Sequence, residues 1–169
     1  MIKLNVGCGR SQRKGYVGID RFNEKADIVT PAHQLPYDDG VVDEIYTSHM
    51  VEHLTPQEFE AALREWRRVL RPGGKLIVRC PNFELYVREW LEGDYEHRWG
   101  WGITNIFGWQ DRGPGMWHHT GFTARRLEKT LSGFGFKIIT CKIIETRPFT
   151  KGTEEYRPNG DLYCECVCE

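Results

Sequence analysis

Leu4-Asn5-Val6-Gly7-Cys8-Gly9, followed by Gly15-Tyr16-Val17-Gly18-Ile19-Asp20, is the stretch whose reading decides the fold. Ile2, Leu4 and Val6 form a short apolar run that reads as a buried strand, broken at once by Gly7-Cys8-Gly9. A glycine pair directly after a strand lets the backbone turn tightly and approach a ligand, because no Cβ stands in the way. Tyr16 to Ile19 reads as a second strand with Asp20 at its end. In open α/β sheets ligands sit beyond the carboxyl ends of the strands, where such an acid accepts hydrogen bonds from ribose hydroxyls. Strand, turn and acid together predict a nucleoside site. About eight residues separate Gly7 from the second strand, too few for a crossover helix. The first crossover is therefore a loop or a single turn, which offers little helix dipole and favours a ligand without phosphate.

Outward from this stretch, strand and helix signals alternate, as in a mostly parallel sheet with crossover helices. Ala26–Val29 and Val42–Thr47 read as the third and fourth strands. Thr55-Pro56-Gln57-Glu58 is a helix start: threonine caps, proline suits the first helical position, and Glu58 completes a capping box. Phe59, Ala62, Leu63, Trp66, Val69 and Leu70 then recur on one helical face. Pro72-Gly73-Gly74 is expected to end that helix, with Lys75–Cys80 as the fifth strand and Phe83–Leu91 as a further helix. From about residue 93 to 121, Trp99, Trp101, Trp109 and Trp117 sit among glycines and histidines with no regular period. A long irregular insertion of this kind is typically a lid or binding loop. Thr123–Ser132 returns to helix with Leu127 and Leu131 inward and Gly133 as its cap. Lys137–Ile144 and Asp161–Cys168 are the last strands.

The 169 residues make a single domain, 1–169, large enough for a real core. Twenty-three basic against 24 acidic residues leave a net charge of −1, which gives no electrostatic argument for nucleic acid. The basic clusters at 10–14, 64–71 and 125–126 read as solvated faces. No apolar run reaches the length of a membrane span, and Met1 leads directly into a strand, so the expectation is a cytoplasmic protein. Cys164, Cys166 and Cys168 alternate on one face of the last strand. That spacing is poorly suited to tetrahedral zinc, and they read as small buried hydrophobes.

The series Leu4–Gly9, Gly15–Asp20, Leu35-Pro36-Tyr37, Ser48-His49-Met50-Val51-Glu52-His53-Leu54, Leu70–Leu76 and Gly121-Phe122-Thr123 resembles, in order and spacing, that of small class I S-adenosylmethionine-dependent methyltransferases of the type 11 kind. The resemblance implies an α/β fold: a Rossmann-like, mostly parallel, seven-stranded sheet with an antiparallel last strand, a three-layer sandwich whose first crossover helix is short or missing. The loop 145–160 would then join the last hairpin. The resemblance also implies S-adenosyl-L-methionine as cofactor. Asn5, Gly7, Cys8 and Gly9 would line its methionine part, Asp20 and Arg21 its ribose, and Ala32 and His33 its adenine. Ser48 and His49 would close the methionine side. Asn5 and Pro31 depart from the acids that many relatives carry there, and the chain begins at its first strand, without the helix that often precedes it.

A sulfonium already activates the methyl group, so the protein must mainly position an acceptor and exclude water. Candidates for an acceptor-side base or contact are His53, His118, His119 and Gln110; Gln110 and His118 stand where related small methyltransferases carry the same residues. A small-molecule acceptor, sugar-like or a secondary metabolite, is expected, and a homodimer stays open. Three rival readings remain. His49-Met50-Val51-Glu52-His53 fits the H-x-x-E-H pattern of zinc hydrolases, but it leaves a strand end rather than lying in a long helix, and no metal is expected. A non-catalytic methyltransferase-like binder is the second. A dinucleotide dehydrogenase is the third, disfavoured by the absent third glycine and crossover helix.

Overall fold

The computed structural model describes residues 1–92, 101–144 and 160–169. Among them seven strands form one sheet: β1 (Lys3–Val6), β2 (Val17–Asp20), β3 (Ile28–Val29), β4 (Val42–Ser48), β5 (Leu70–Pro81), β6 (Phe136–Ile144) and β7 (Asp161–Cys168). Their order is β3-β2-β1-β4-β5-β7-β6. The first five strands pair in parallel, and β7 runs antiparallel between β5 and β6. The helices are α1 (Pro56–Val69), α2 (Phe83–Glu92), α3 (Trp101–Phe107) and α4 (Ala124–Gly133).

Residue pattern decides which way each strand faces. Leu4, Val6, Ile45, Leu76, Val78, Cys80, Leu162, Cys164 and Cys166 alternate into one face and are buried. Phe59, Ala62, Leu63, Trp66 and Val69 of α1 and Leu127 and Leu131 of α4 join them in the same core. The opposite face is polar. Lys3 pairs with Glu44 at 3.0 Å and Lys75 with Glu165 at 2.8 Å, while Arg13 of the β1–β2 loop lies over the Tyr16 and Tyr46 rings. The β1–β2 and β2–β3 connections, which would carry helices to that face, contain none. The missing first crossover helix is as expected. Neither connection is long enough to carry a full crossover helix to that face. Parallel sheets are ordinarily covered on both faces; here, among the described residues, ion pairs and the edge-to-face Tyr16 and Tyr46 line the other face.

The capping box at α1 is complete. Thr55 Oγ1 accepts from the Glu58 N–H at 3.2 Å, and Glu58 Oε2 accepts from the Thr55 N–H at 3.0 Å. The helix ends at Val69, before Pro72-Gly73-Gly74. Those three residues lie inside β5 instead, where the pairing jumps from Val42↔Leu70 to Glu44↔Lys75 and Gly73 takes φ +72°. The bulge, not a helix stop, uses the proline and glycines. Gly133 is likewise still helical, and the left-handed residue after α4 is Gly135 (φ +81°). The insertion is more regular than its sequence suggests: α3 and two 3-10 turns, Gln110–Arg112 and Pro114–Met116, occupy its described part. His97 and Trp99, and the loop 145–159, lie outside the described residues.

Candidate functional site

The carboxyl ends of β1, β2 and β4 open into a cleft of about 1380 Å³. All ten residues read as cofactor contacts line it: Asn5, Gly7, Cys8, Gly9, Asp20, Arg21, Ala32, His33, Ser48 and His49. Gly7 takes φ +72°, and both its N–H and that of Cys8 donate to the Ile19 carbonyl, at 2.8 and 3.1 Å. A Cβ on Gly7 would stand 2.0 Å from Met50 Cγ, so the turn packs directly under the segment that leaves β4. Gly9, at φ +51°, has open space where its Cβ would be. This is a cradle that a ligand can approach closely.

Asp20 ties the cradle to the next loop. Its Oδ2 accepts from the Gly9 N–H at 2.8 Å, and its Oδ1 accepts from the N–H groups of Phe22 and Asn23 at 2.8 and 3.0 Å. A carboxylate offers about four acceptor positions, so about one stays open for a ligand hydroxyl. Asn5 is buried, and its Nδ2 donates to the Ser11 carbonyl at 3.1 Å. A carboxylate in its place could not donate, which gives the departure at Asn5 a physical reason: it closes the helix-free β1–β2 loop. Arg21 turns to Glu58, at 3.0 Å. Ala32 is buried, and its carbonyl accepts from Trp66 Nε1 at 2.9 Å, which anchors the 30–33 wall of the cleft to α1.

His49 sits where β4 gives way to a 3-10 turn (Val51–His53). Its φ of +51° is rare for a residue with a Cβ. Neighbours hold it there: its N–H donates to the Arg79 carbonyl at 2.9 Å, its Nε2 lies 2.8 Å from Asp161 Oδ2, and its Nδ1 lies 3.5 Å from Glu52 Oε1. Desolvation works against a charge on this ring, but the Asp161 and Glu52 carboxylates outweigh it and push the pKa up to about 10. His49 is therefore a cation on the cleft wall at neutral pH. Asp161 is buried and is also met by Arg79 Nε at 2.7 Å.

The acceptor-side candidates separate. His53 and His119 line the cleft, whereas Gln110 and His118 do not. Gln110 is exposed, and its carbonyl accepts from Trp117 Nε1 at 3.3 Å. His118 stacks edge-on against His53 with ring centroids 4.7 Å apart. Burial pulls its pKa down, so it stands neutral. The insertion forms the far wall: Arg112, Gly115 and Met116 line the cleft, and a Cβ on Gly115 would reach the Phe22 ring at 2.9 Å. Glu52, Asp161 and Arg112 were not singled out from the sequence as site residues. Glu52 lay inside the H-x-x-E-H match, and Asp161 was visible as the acid that opens a strand rich in cysteine.

A family described as Methyltransferase domain matches residues 4–78. Among curated proteins, the ubiquinone/menaquinone biosynthesis C-methyltransferase UbiE of Caulobacter sp. (strain K31) is 32% identical over 119 residues, 66% of this chain and 45% of that protein. The demethylmenaquinone methyltransferase of Mycolicibacterium gilvum is 47% identical over 47 residues, 28% of this chain and 20% of that protein. The chain thus spans less than half the length of these relatives. Among solved structures, a SAM-dependent methyltransferase from Methanosarcina mazei superposes with a TM-score of 0.69 at 18% identity, covering 98% of this chain and 91% of that one. The 1,6-didemethyltoxoflavin-N1-methyltransferase of Burkholderia thailandensis, solved with 1,6-didemethyltoxoflavin and S-adenosylhomocysteine bound, gives 0.65 at 13% identity, covering 99% and 70%. At such identities the structural likeness speaks to fold. The chain has the fold of these S-adenosylmethionine-dependent methyltransferases, and its residues 4–78 match the methyltransferase-domain family.

Proposed function

We propose that the chain transfers a methyl group from S-adenosylmethionine to a small-molecule acceptor. The observation that carries this reading is the single cleft wall made by the Gly7–Gly9 turn, Asp20 and His49, inside the segment that matches the methyltransferase domain. In this reading Asp20 takes a ribose hydroxyl with its remaining acceptor position, and residues 30–33 flank the adenine. The His49 cation faces the methionine carboxylate. The sulfonium supplies the electrophile; a nucleophilic electron pair of the acceptor forms the new bond to the methyl carbon, the C–S pair returns to sulfur, and S-adenosylhomocysteine leaves. The chain's task is then to orient and to exclude water. The Arg112–Met116 wall and the cleft-facing His53 and His119 form the acceptor side, and His119 takes a proton where the acceptor must lose one. The quinone-methylating names of two relatives and the toxoflavin precursor bound to a structural neighbour support a small, ring-bearing acceptor.

Asp20 already accepts three backbone N–H groups, and this specific fact favours one second reading, a methyltransferase-like binder without activity. Incubation with methyl-labelled S-adenosylmethionine and a panel of hydroxylated quinols, phenols and sugars separates the two. Label in an organic or sugar product supports transfer. No label with any acceptor, together with no S-adenosylhomocysteine binding, supports the binder.

A further inference from the structure

Glu52, His53 and His118 form a second constellation beside the cleft. One Glu52 oxygen and one nitrogen from each ring lie within 4.8 Å of one another. The Glu52 side chain is only 3% exposed, and neither of its carboxylate oxygens has a hydrogen-bond partner among the described residues. Among the described residues its ion-pair partner is His49, whose Nδ1 lies 3.5 Å away. A carboxylate withdrawn from water without hydrogen bonds is costly, and buried charges are as a rule paired closely or bound to a metal.

The two histidines are already prepared as ligands. His53 Nδ1 lies 3.0 Å from the Trp117 carbonyl, and His118 Nδ1 lies 2.9 Å from the Asn105 carbonyl. A carbonyl only accepts, so each Nδ1 carries a proton, and in the neutral ring the lone pair lies on Nε2. Metal-bound histidines are oriented in this way, with the non-ligating N–H given to a carbonyl or carboxylate. We propose that Glu52, His53 and His118 bind one divalent transition-metal ion. Two imidazoles and a carboxylate suit Zn²⁺, Fe²⁺, Co²⁺ or Ni²⁺ better than Mg²⁺ or Ca²⁺, which take oxygen sets. Ligand atoms around tetrahedral zinc stand about 3.4 Å apart, so from separations of up to 4.8 Å the ion would draw this set together by about 1.4 Å at most.

This set differs from the H-x-x-E-H pairing of His49 with His53. His49 is committed through Nε2 to Asp161, and His118 arrives from the insertion some 65 residues further on, a contact that no local motif contains. Three protein ligands leave a position for water or for an oxygen atom of a molecule in the cleft, whose wall includes His53. The ion binding stands apart from the methyl-transfer reading, since it is measured without cofactor or acceptor.

The test uses the tag-free chain, stripped with chelator and dialysed, then titrated calorimetrically with Zn²⁺ and, separately, with Co²⁺ followed by visible absorption. One ion per chain is expected, with cobalt bands of nitrogen and oxygen ligation. Glu52→Gln, His53→Ala and His118→Ala should each weaken binding at least about tenfold, the lower end of what loss of even an outer-shell partner costs. His53 is only partly buried, so its variant keeps the test decisive if the Glu52 variant fails to fold. Absence of stoichiometric uptake would overturn the proposal. So would uptake unchanged in both histidine variants, or a sulfur-to-cobalt charge-transfer band, which would place the ion on cysteines.

Discussion

Gly7 leaves the chain no alternative residue. Its φ is +72°, and an added Cβ would lie 2.0 Å from Met50 Cγ. Gly7→Ala is expected to destabilise the fold by more than about 1 kcal/mol, the scale of a backbone mismatch before any clash is counted, read as a lower urea midpoint. That glycine was legible in the sequence because a turn straight after an apolar run needs one. Asn5 was legible only as an oddity. The structure gives it a donor's task, holding the Ser11 carbonyl, and no sequence pattern announces a contact between a strand and the loop six residues on. Asn5→Asp removes that donor and sets a carboxylate against a carbonyl. The expected loss is about 1–3 kcal/mol of stability, the cost of an unmet buried polar group, measured by chemical denaturation, and Asn5→Ala should cost less than Asn5→Asp at neutral pH.

Among the elements, α1 was the one most fully written in its residues. Threonine, proline and glutamate at its start, and apolar residues at helical spacing behind them, correspond one for one to the cap and the buried face. Thr55→Ala should cost about 1 kcal/mol. The Glu58 carboxyl accepts from the Thr55 N–H, which outweighs its partial burial and holds its pKa below the usual 4.5. A depressed carboxylate stabilises the fold at pH values above its unfolded pKa, and that contribution fades as pH falls through the lower folded value. The stability gap between the native chain and Glu58→Gln is therefore expected to be constant above pH 4.5 and to close below it, as thermal melts across that range would show. Pro72-Gly73-Gly74 misled because a helix stop and a β-bulge use the same residues; only pairing with Val42 and Glu44 distinguishes them. The seven residues of α3 are too few for a helical period to emerge from a glycine-rich stretch.

On the scale of the molecule, the mostly parallel sheet followed from the alternation of strand and helix signals and the antiparallel last strand from the family resemblance, while the polar sheet face seen among the described residues followed from neither. Its ion pairs join residues on β1, β4, β5 and β7, which become neighbours only once the register is set. The site divides along the same line. Its nucleoside half lies on the first 50 residues and could be read locally, whereas Asp161 and His118 reach it through the fold. What joins the halves is the claim that this cleft holds S-adenosylmethionine. Titration calorimetry with S-adenosylhomocysteine tests it directly. The account predicts one molecule bound per chain at micromolar affinity, on the order of −8 kcal/mol. Asp20→Asn should weaken that binding by about 1–3 kcal/mol through loss of the charge-assisted ribose contact. A folded chain that binds no S-adenosylhomocysteine at millimolar concentration, or an Asp20→Asn variant that binds it as well as the native chain, would contradict it.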